Sequence, residues 1–394
     1  MREFAKQNRV LFVNSPGIRM PRLLGDRFAW RRLFGKLKSL AKFVRLAEEN
    51  IWVFTPIAIP MISGYGRSVS WINERLLVWQ LKLVMATLQF RCTILWVTVV
   101  VAKDAALRLK RKLGGYLVYY CVDNVPAFPG VDGSYMLELE DELHRTADIA
   151  FYVNHALLKQ NLLRNPLTFY TGHGVDYTHF AVAQTVSLPV PVDMESIINA
   201  SGGQVAGYMG EVNSVDIGLI GFLANENPNI SFVFIGEICE SVEVLKSFPN
   251  VHFLGQKSYR ELPAYLQFFA VCCLFYKTQS AFNNYRNPKK LLEYLATGKP
   301  VVSVAILELE YFSQYISIAQ SYSEFELLLR RAIAEDSPID RQRRIEFAEK
   351  QTWDAVAEGI ASKFPPRLLE GGTDGVQAGA GVSKAETRAF PIRQ

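Results

Sequence analysis

Apolar residues fall along this chain in short continuous runs, and longer stretches between them repeat at helical spacing. RVLFVN (9–14), IWVFT (51–55), 93–101, GYLVYYCV (115–122), 148–153 and 168–171 read as buried strands. Segments 72–90, 103–112, 134–146 and 154–163 read as helices. In RFAWRRLFGKLKSLAKFVRL (27–46), Phe28, Trp30, Leu33, Phe34, Leu37, Leu40, Phe43 and Val44 recur at helical spacing. Arg and Lys fill the other face, which predicts an amphipathic helix. Strands alternating with helices predict an α/β, doubly wound parallel sheet.

The rhythm is lost over 181–203, where Pro and Ser are scattered and a Gly pair closes the stretch. It restarts with strand 204–209, helix 215–225, strands 231–235 and 251–254, helix 259–268, strand 270–275 and strand 300–304. Helices are expected at 322–334 and 340–363. The expected organisation is an N-terminal domain over 1–180, a linker over 181–203, a second doubly wound domain over 204–364, and a disordered tail over 365–394. Two such domains bind ligands at the carboxyl ends of their strands, so facing edges would enclose a cleft. No GxGxxG follows the first strand, which argues against a dinucleotide site.

A chain of 394 residues supports the two-domain reading. Its net charge of +5 conceals an asymmetry: residues 1–112 carry 21 Lys and Arg against 6 Asp and Glu. The basic half suits an anionic surface, and helix 27–46 suits the interface of a membrane inner leaflet. Packing of that helix on the sheet is the alternative. Nucleic acid is the less favoured partner, since no recognition motif appears. CTILWVTVVVA (92–102) is too short to span a bilayer, and no signal peptide is visible. Five cysteines without paired spacing read as reduced thiols rather than a zinc site. A cytoplasmic, peripherally membrane-associated protein is expected.

The sharpest local chemistry lies in NYRNPKKLLEYLATGKPVV (284–302). Asn287 is a candidate helix cap, Pro288 suits the first helical position, and Gly298 suits the end. Lys289 and Lys290 then occupy the first turn, where the helix end is already positive. An anion such as phosphate in front of the helix makes them favourable. As solvated surface residues, one paired with Glu293, they need no ligand. Glu293 lies one turn on, placed to accept from ribose hydroxyls.

NPKKLLEYLATGKPVV resembles the C-terminal signature of GT-B glycosyltransferases that use nucleotide-sugars. FPNVHFLGQKSYRELPAYLQFF (248–269) resembles their base-framing segment, and TGHGVDYTHF (171–180) their cleft linker. YYCVDNVPAF (119–128), with ADIAFYVNHALL after it, is similar to bacterial exopolysaccharide and teichuronic-acid transferases, including the xanthan glucuronosyltransferase. The resemblance covers roughly residues 90–365. It implies a GT-B fold, transfer from a nucleotide-sugar such as a UDP- or GDP-sugar to a glycan or lipid-linked acceptor, and no cofactor or bound metal.

It also implies site residues. Asp123 matches the proposed base of the xanthan-type enzymes; a turn or cap role is the alternative. His173, between two glycines, is a candidate donor to sugar or phosphate, or else a packed hinge residue. Lys290, Lys289, Arg286 and Pro288 are expected at the diphosphate, Glu293 at ribose, and Gln256, Glu237 and Gly210 at the donor cleft edge. Many relatives carry a Glu-x7-Glu pair, but Tyr285 stands at the first position. Many also place a cation after the first strand of the second domain, where GYMGEVNSVD (207–216) has none. A non-catalytic scaffold on the same frame is therefore the rival expectation.

Overall fold

In the N-terminal half the apolar runs assemble into two sheets rather than one. The computed structural model describes residues 1–15, 43–59, 66–91, 94–128, 130–212, 215–238 and 242–369. Strands β1 (Val10–Val13), β2 (Val44–Glu48) and β3 (Ile51–Phe54) form a small sheet of order β1-β3-β2. Strands β4 (Ile94–Val97), β5 (Tyr116–Cys121), β6 (Ile149–Tyr152) and β7 (Thr168–Tyr170) form a parallel sheet in sequence order. The parallel expectation holds in the second sheet, whose strand order runs without a reversal, and changes in the first, because β2 and β3 are antiparallel. Their turn is closed by Asn50 at φ 60°, a left-handed conformation that Asn adopts more readily than most residues.

That hairpin corrects the end of the helix expected over 27–46. Val44, Arg45 and Leu46 pair with Phe54, Val53 and Trp52. Phe43 and Val44 satisfy helical spacing, but the adjacent apolar run 51–54 offers a strand partner. Residues 27–42 of that expectation lie outside the described residues. Helices α1 (Gly66–Thr87) and α2 (Lys103–Leu113) enclose Phe54, Val78, Leu81, Val84 and Leu109. Helix α3 (Gly133–Thr146) packs Met136, Leu139 and Leu143 against Leu117 and Tyr119. Helix α4 (His155–Asn161) follows β6.

The second half holds one six-stranded parallel sheet. Its strands are β8 (Val205–Met209), β9 (Ser231–Ile235), β10 (Val251–Gly255), β11 (Val271–Leu274), β12 (Val301–Val304) and β13 (Ser317–Ala319), ordered β10-β9-β8-β11-β12-β13. Every residue of β8, β9, β11 and β12 is buried, as strands covered by helices on both faces require. The strand order reverses between β8 and β11, and such switch points are where open α/β sheets bind ligands.

Residues 181–203, expected as linker, are largely helical. Helices α5 (Tyr177–Thr185) and α6 (Val192–Ala200) insert Phe180, Met194 and Ile197 into the core of the second domain. The helix expected over 340–363 is two helices. After α7 (Ile217–Glu226), α8 (Leu262–Gln267), α9 (Lys289–Ala296) and α10 (Tyr322–Ala334) come α11 (Pro338–Glu349) and α12 (Trp353–Ala361). The break falls where Val175 N donates to Gln351 O at 2.8 Å and Thr352 caps α12 through Ala355 N. Helix α12 then returns to the first domain, where Ile360 and Phe364 join Val118, Ile149 and Phe151. Burying each of these two side chains contributes about 1.5–3 kcal/mol to holding the domains together. Among the described residues no helix is long and apolar enough to cross a membrane.

Candidate functional site

Helix α9 is amphipathic enough to be fixed in one orientation. Leu291, Leu292 and Leu295 are buried beneath it, and the Tyr294 hydroxyl accepts from Met209 N at 2.7 Å. Its N-terminus is thereby held at the end of β8, on the switch point. There Lys290 Nζ lies 3.9 Å from the Tyr208 ring centroid and 5.7 Å from that of Tyr276. These rings flank the reversal between β8 and β11. The ammonium also lies across Gly210, whose φ is 126°, and a Cβ there would collide with it. The positive φ favours glycine here, and a side chain would have to displace the Lys290 ammonium.

Lys290 makes no ion pair among the described residues, and its site is unusual for a lysine. Desolvation, followed by the charge of Arg286, lowers its pKa to about 7 against the pull of Glu293 and Glu211. The Arg286 guanidinium stands 5.0 Å from the Tyr276 ring and 4.8 Å from that of Phe282. Lys289 is exposed, with Nζ 5.8 Å from the Trp353 ring. Three cations thus converge with the free N–H groups of one helix end, and an anion relieves their repulsion. Arg286, expected at the diphosphate from the sequence, stands beside Lys290 as a second cation where the segment after β8 offers none. Glu293, one turn along, is half-buried, and desolvation raises its pKa while Lys290 and Lys289 draw it back.

Capping differs from the expectation. Pro288 is the N-cap and α9 starts at Lys289. The Asn287 side chain instead donates to Val153 O at 2.6 Å and to Glu308 Oε1 at 3.3 Å. A carbonyl of the first domain outcompetes the local N–H groups. The Tyr285 ring likewise packs against the first domain's core, and its hydroxyl accepts from Gln160 Nε2 at 2.6 Å. Its carbonyl accepts from Asn154 Nδ2 at 2.8 Å. Tyr285, which the sequence placed at the donor beside Arg286, thus has its side chain in the domain seam.

The other donor-side expectations separate. Tyr259, after β10, stacks on His179 with centroids 4.7 Å apart; desolvation, followed by the charge of Glu293, raises its pKa, so this loop borders the site. Gln256 lies exposed on the same loop. Glu237, after β9, has an exposed side chain, and its carbonyl accepts from Val212 N at 3.0 Å.

Across the cleft, Asp123 follows β5 and is half-buried. Desolvation raises its pKa, and Arg286 and Lys289 oppose the rise. It therefore faces the cationic end of α9. His173 is buried, with its ring 6.4 Å from that of Trp353, and hydrogen-bonds the backbone of Asn287. Desolvation, with a contribution from Lys289, lowers its pKa to about 3, so the ring is neutral near pH 7. A Cβ on Gly174 would meet Trp353 Cα at 2.7 Å, which explains a glycine beside this histidine.

Sequence reasoning missed the clasp beside these residues. Glu308 is fully buried and accepts from His155 N at 2.7 Å and from its Nδ1 at 2.9 Å. The His155 ring lies between Tyr170 at 3.6 Å and Tyr311 at 4.1 Å. Nothing in AILELE (305–310) marked Glu308 over its acidic neighbour Glu310. Among the described residues no grouping of His, Cys, Asp and Glu is suited to hold a metal.

No family model matches the chain. A curated relative from Bacillus subtilis (strain 168), named as the teichuronic acid biosynthesis glycosyltransferase TuaH, is 30% identical over 131 residues, 31% of this chain and 33% of the relative. The chain thus spans about a third of the length of the curated relative that it matches. Among solved structures, Anabaena HepE in complex with UDP and glucose gives a TM-score of 0.60 at 14% identity, covering 90% of this chain and 98% of HepE. The α,α-trehalose 6-phosphate synthase of Burkholderia multivorans gives 0.62 at 12% identity, covering 91% and 98%. The E. coli trehalose-6-phosphate structure with UDP-2-fluoro glucose gives 0.63 at 11%, covering 92% and 99%. The fold is GT-B: two Rossmann-like domains facing across a cleft.

Proposed function

We propose that this chain is a glycosyltransferase that moves a sugar from a nucleotide-diphosphate sugar to a saccharide acceptor. One observation carries the reading. A half-buried lysine without an ion pair, a second cation and a helix N-terminus converge at the switch point, and a carboxylate with a raised pKa faces them across the cleft. In this reading the diphosphate lies against Lys290, Arg286 and the first turn of α9, and Glu293 accepts from the ribose hydroxyls. Asp123 takes the proton of the acceptor hydroxyl as that oxygen attacks the anomeric carbon. The bond from that carbon to the diphosphate breaks, and the cations neutralise the departing charge.

The matched segment of TuaH and the UDP complexes named above support UDP as the nucleotide and a bacterial surface polysaccharide as the product. The basic N-terminal region supports a lipid-linked acceptor at the inner face of a membrane. A thermal-stability screen of UDP- and GDP-sugars tests the donor. Binding to the folded state raises Tm by mass action, and Lys290→Ala should remove that rise. A chain stabilised by none of them is not a UDP- or GDP-sugar transferase.

A further inference from the structure

Helix α1 is apolar on both faces. Val78, Leu81 and Val84 point into the core, as an ordinary amphipathic helix requires. The opposite face should then be polar. Instead Trp79 is 62% exposed, Trp71 and Leu83 51% each, and Ile72 42%. With 100° per residue, these four fall within an arc of about 120°. Arg75 and Lys82 lie inside the same arc, and the Arg75 guanidinium sits 4.0 Å from the Trp71 ring centroid. Bound to the flank of α1 by Asn73 and Gln80, the loop after β3 exposes Ile57 and Ile59 as well.

The charge around this face has one sign. Lys112, at the end of α2, lies close enough to Lys82 for the two ammonium groups to depress its pKa. The acids nearby are engaged elsewhere: Glu74 with Arg108, and Asp148 with Lys110 at 2.7 Å. Large exposed aromatics interleaved with cations that make no ion pair among the described residues are the surface chemistry of a bilayer interface. The rings enter the headgroup boundary while the cations meet anionic headgroups.

We propose that the outer face of α1, with Trp71, Ile72, Arg75, Trp79, Lys82 and Leu83, docks this protein on an anionic lipid surface. This places the membrane contact on a described helix, distinct from the basic stretch 27–46. It rests on the reading above only for the expectation of a membrane.

The test uses the full chain and vesicles of phosphatidylglycerol with phosphatidylcholine, against phosphatidylcholine alone, with no donor or acceptor present. Binding to the anionic vesicles alone is expected. Arg75→Gln with Lys82→Gln should weaken it about 30-fold, roughly fivefold per charge. Trp71→Ser with Trp79→Ser should weaken it about tenfold with unchanged circular dichroism. Brominated lipid should quench tryptophan fluorescence, and Trp71→Phe with Trp79→Phe should remove part of that quenching. Wild-type binding by both double variants overturns the proposal and assigns any membrane affinity elsewhere. Quenching unchanged by the Phe variants means that the face is covered, by residues 16–42 or another segment, and also overturns it. Loss of a dimer in the Ser variants with vesicle binding intact assigns the face to a second copy. Vesicle binding and sugar transfer are separate readouts, so failure of one does not imply failure of the other.

Discussion

The two walls of the cleft are built differently. On the C-terminal side, Arg286, Lys290 and Glu293 come from one short stretch. That stretch is held by the Tyr294–Met209 bond onto a single six-stranded sheet. On the N-terminal side, Asp123, Asn154 and His173 come from the ends of three different strands, in a half whose strands divide between two sheets. A diphosphate can be held by one rigid helix end, so that wall is set by local geometry. The opposite wall offers a lone carboxylate, positioned by strand ends and by contacts across the seam. Donor binding should therefore depend on the first wall alone, and turnover on both.

Asp123→Asn is the sharpest way to break this comparison. Removing the proposed general base should slow transfer by about 10²–10⁴-fold. Donor affinity by calorimetry should stay within about twofold, because the proposed diphosphate cradle lies on the other wall. Retained turnover, or a large loss of donor affinity, removes the division of labour. Lys290→Ala should act in the reverse sense. Losing a charge-assisted hydrogen bond to the diphosphate corresponds to about 1.5–3 kcal/mol, or roughly 10- to 100-fold in donor Kd.

Lys290 also ties donor binding to pH. Its pKa is lowered to about 7 in the free protein, so the group is charged below that pH and neutral above it. A bound diphosphate favours the cation. Donor affinity should fall as pH rises through 7, and binding near pH 8 should take up close to one proton. Calorimetry in buffers of differing ionisation heat reads that uptake, which should vanish in Lys290→Ala. Uptake that persists in the variant would move the linkage to another group.

Legibility in the sequence followed the same division. The second domain reads well because its strands are short apolar runs with turn residues between them, and Gly298 ends α9 at φ 72° as its position suggested. Lys290 and Glu293 were visible because helix-end electrostatics is a local property. The hairpin at Val44–Phe54 was not, since Phe43 and Val44 fit the helical period as well as a strand. Asn287 fits the capping rule, yet its side chain finds Val153 O in the other domain, which no local rule sees. The break at Gln351–Thr352 depends on Val175, more than 170 residues earlier. The buried clasp Glu308–His155 is likewise a pairing across 153 positions.

Glu308→Gln tests how far that clasp positions the N-terminal wall. The carboxylate accepts from both the backbone and the ring of His155, and an amide can replace only one of these bonds with full strength. A stability loss of about 1–3 kcal/mol in chemical denaturation is expected. Asp123 should be less well placed in consequence, so kcat should fall by more than donor affinity. An equal fall in both would mean that the clasp supports the whole cleft rather than one wall.

The smallest expected effect concerns Tyr285, where many GT-B sequences carry a glutamate. Its hydroxyl meets Gln160 and its ring lies on the first domain's core, so it belongs to the seam and not to the cradle. Tyr285→Phe removes one partly exposed hydrogen bond and keeps the ring. Stability should drop by about 0.5–1.5 kcal/mol, and donor Kd should not change. Tyr285→Glu is more severe for the same reason: it would set a carboxylate against the first domain's apolar core, beside the seam, and lower stability without tightening donor binding. If Tyr285→Glu instead improved donor affinity, the position would belong to the cradle, and the rigid wall would reach one turn further toward the N-terminal domain than the contacts of Tyr285 indicate.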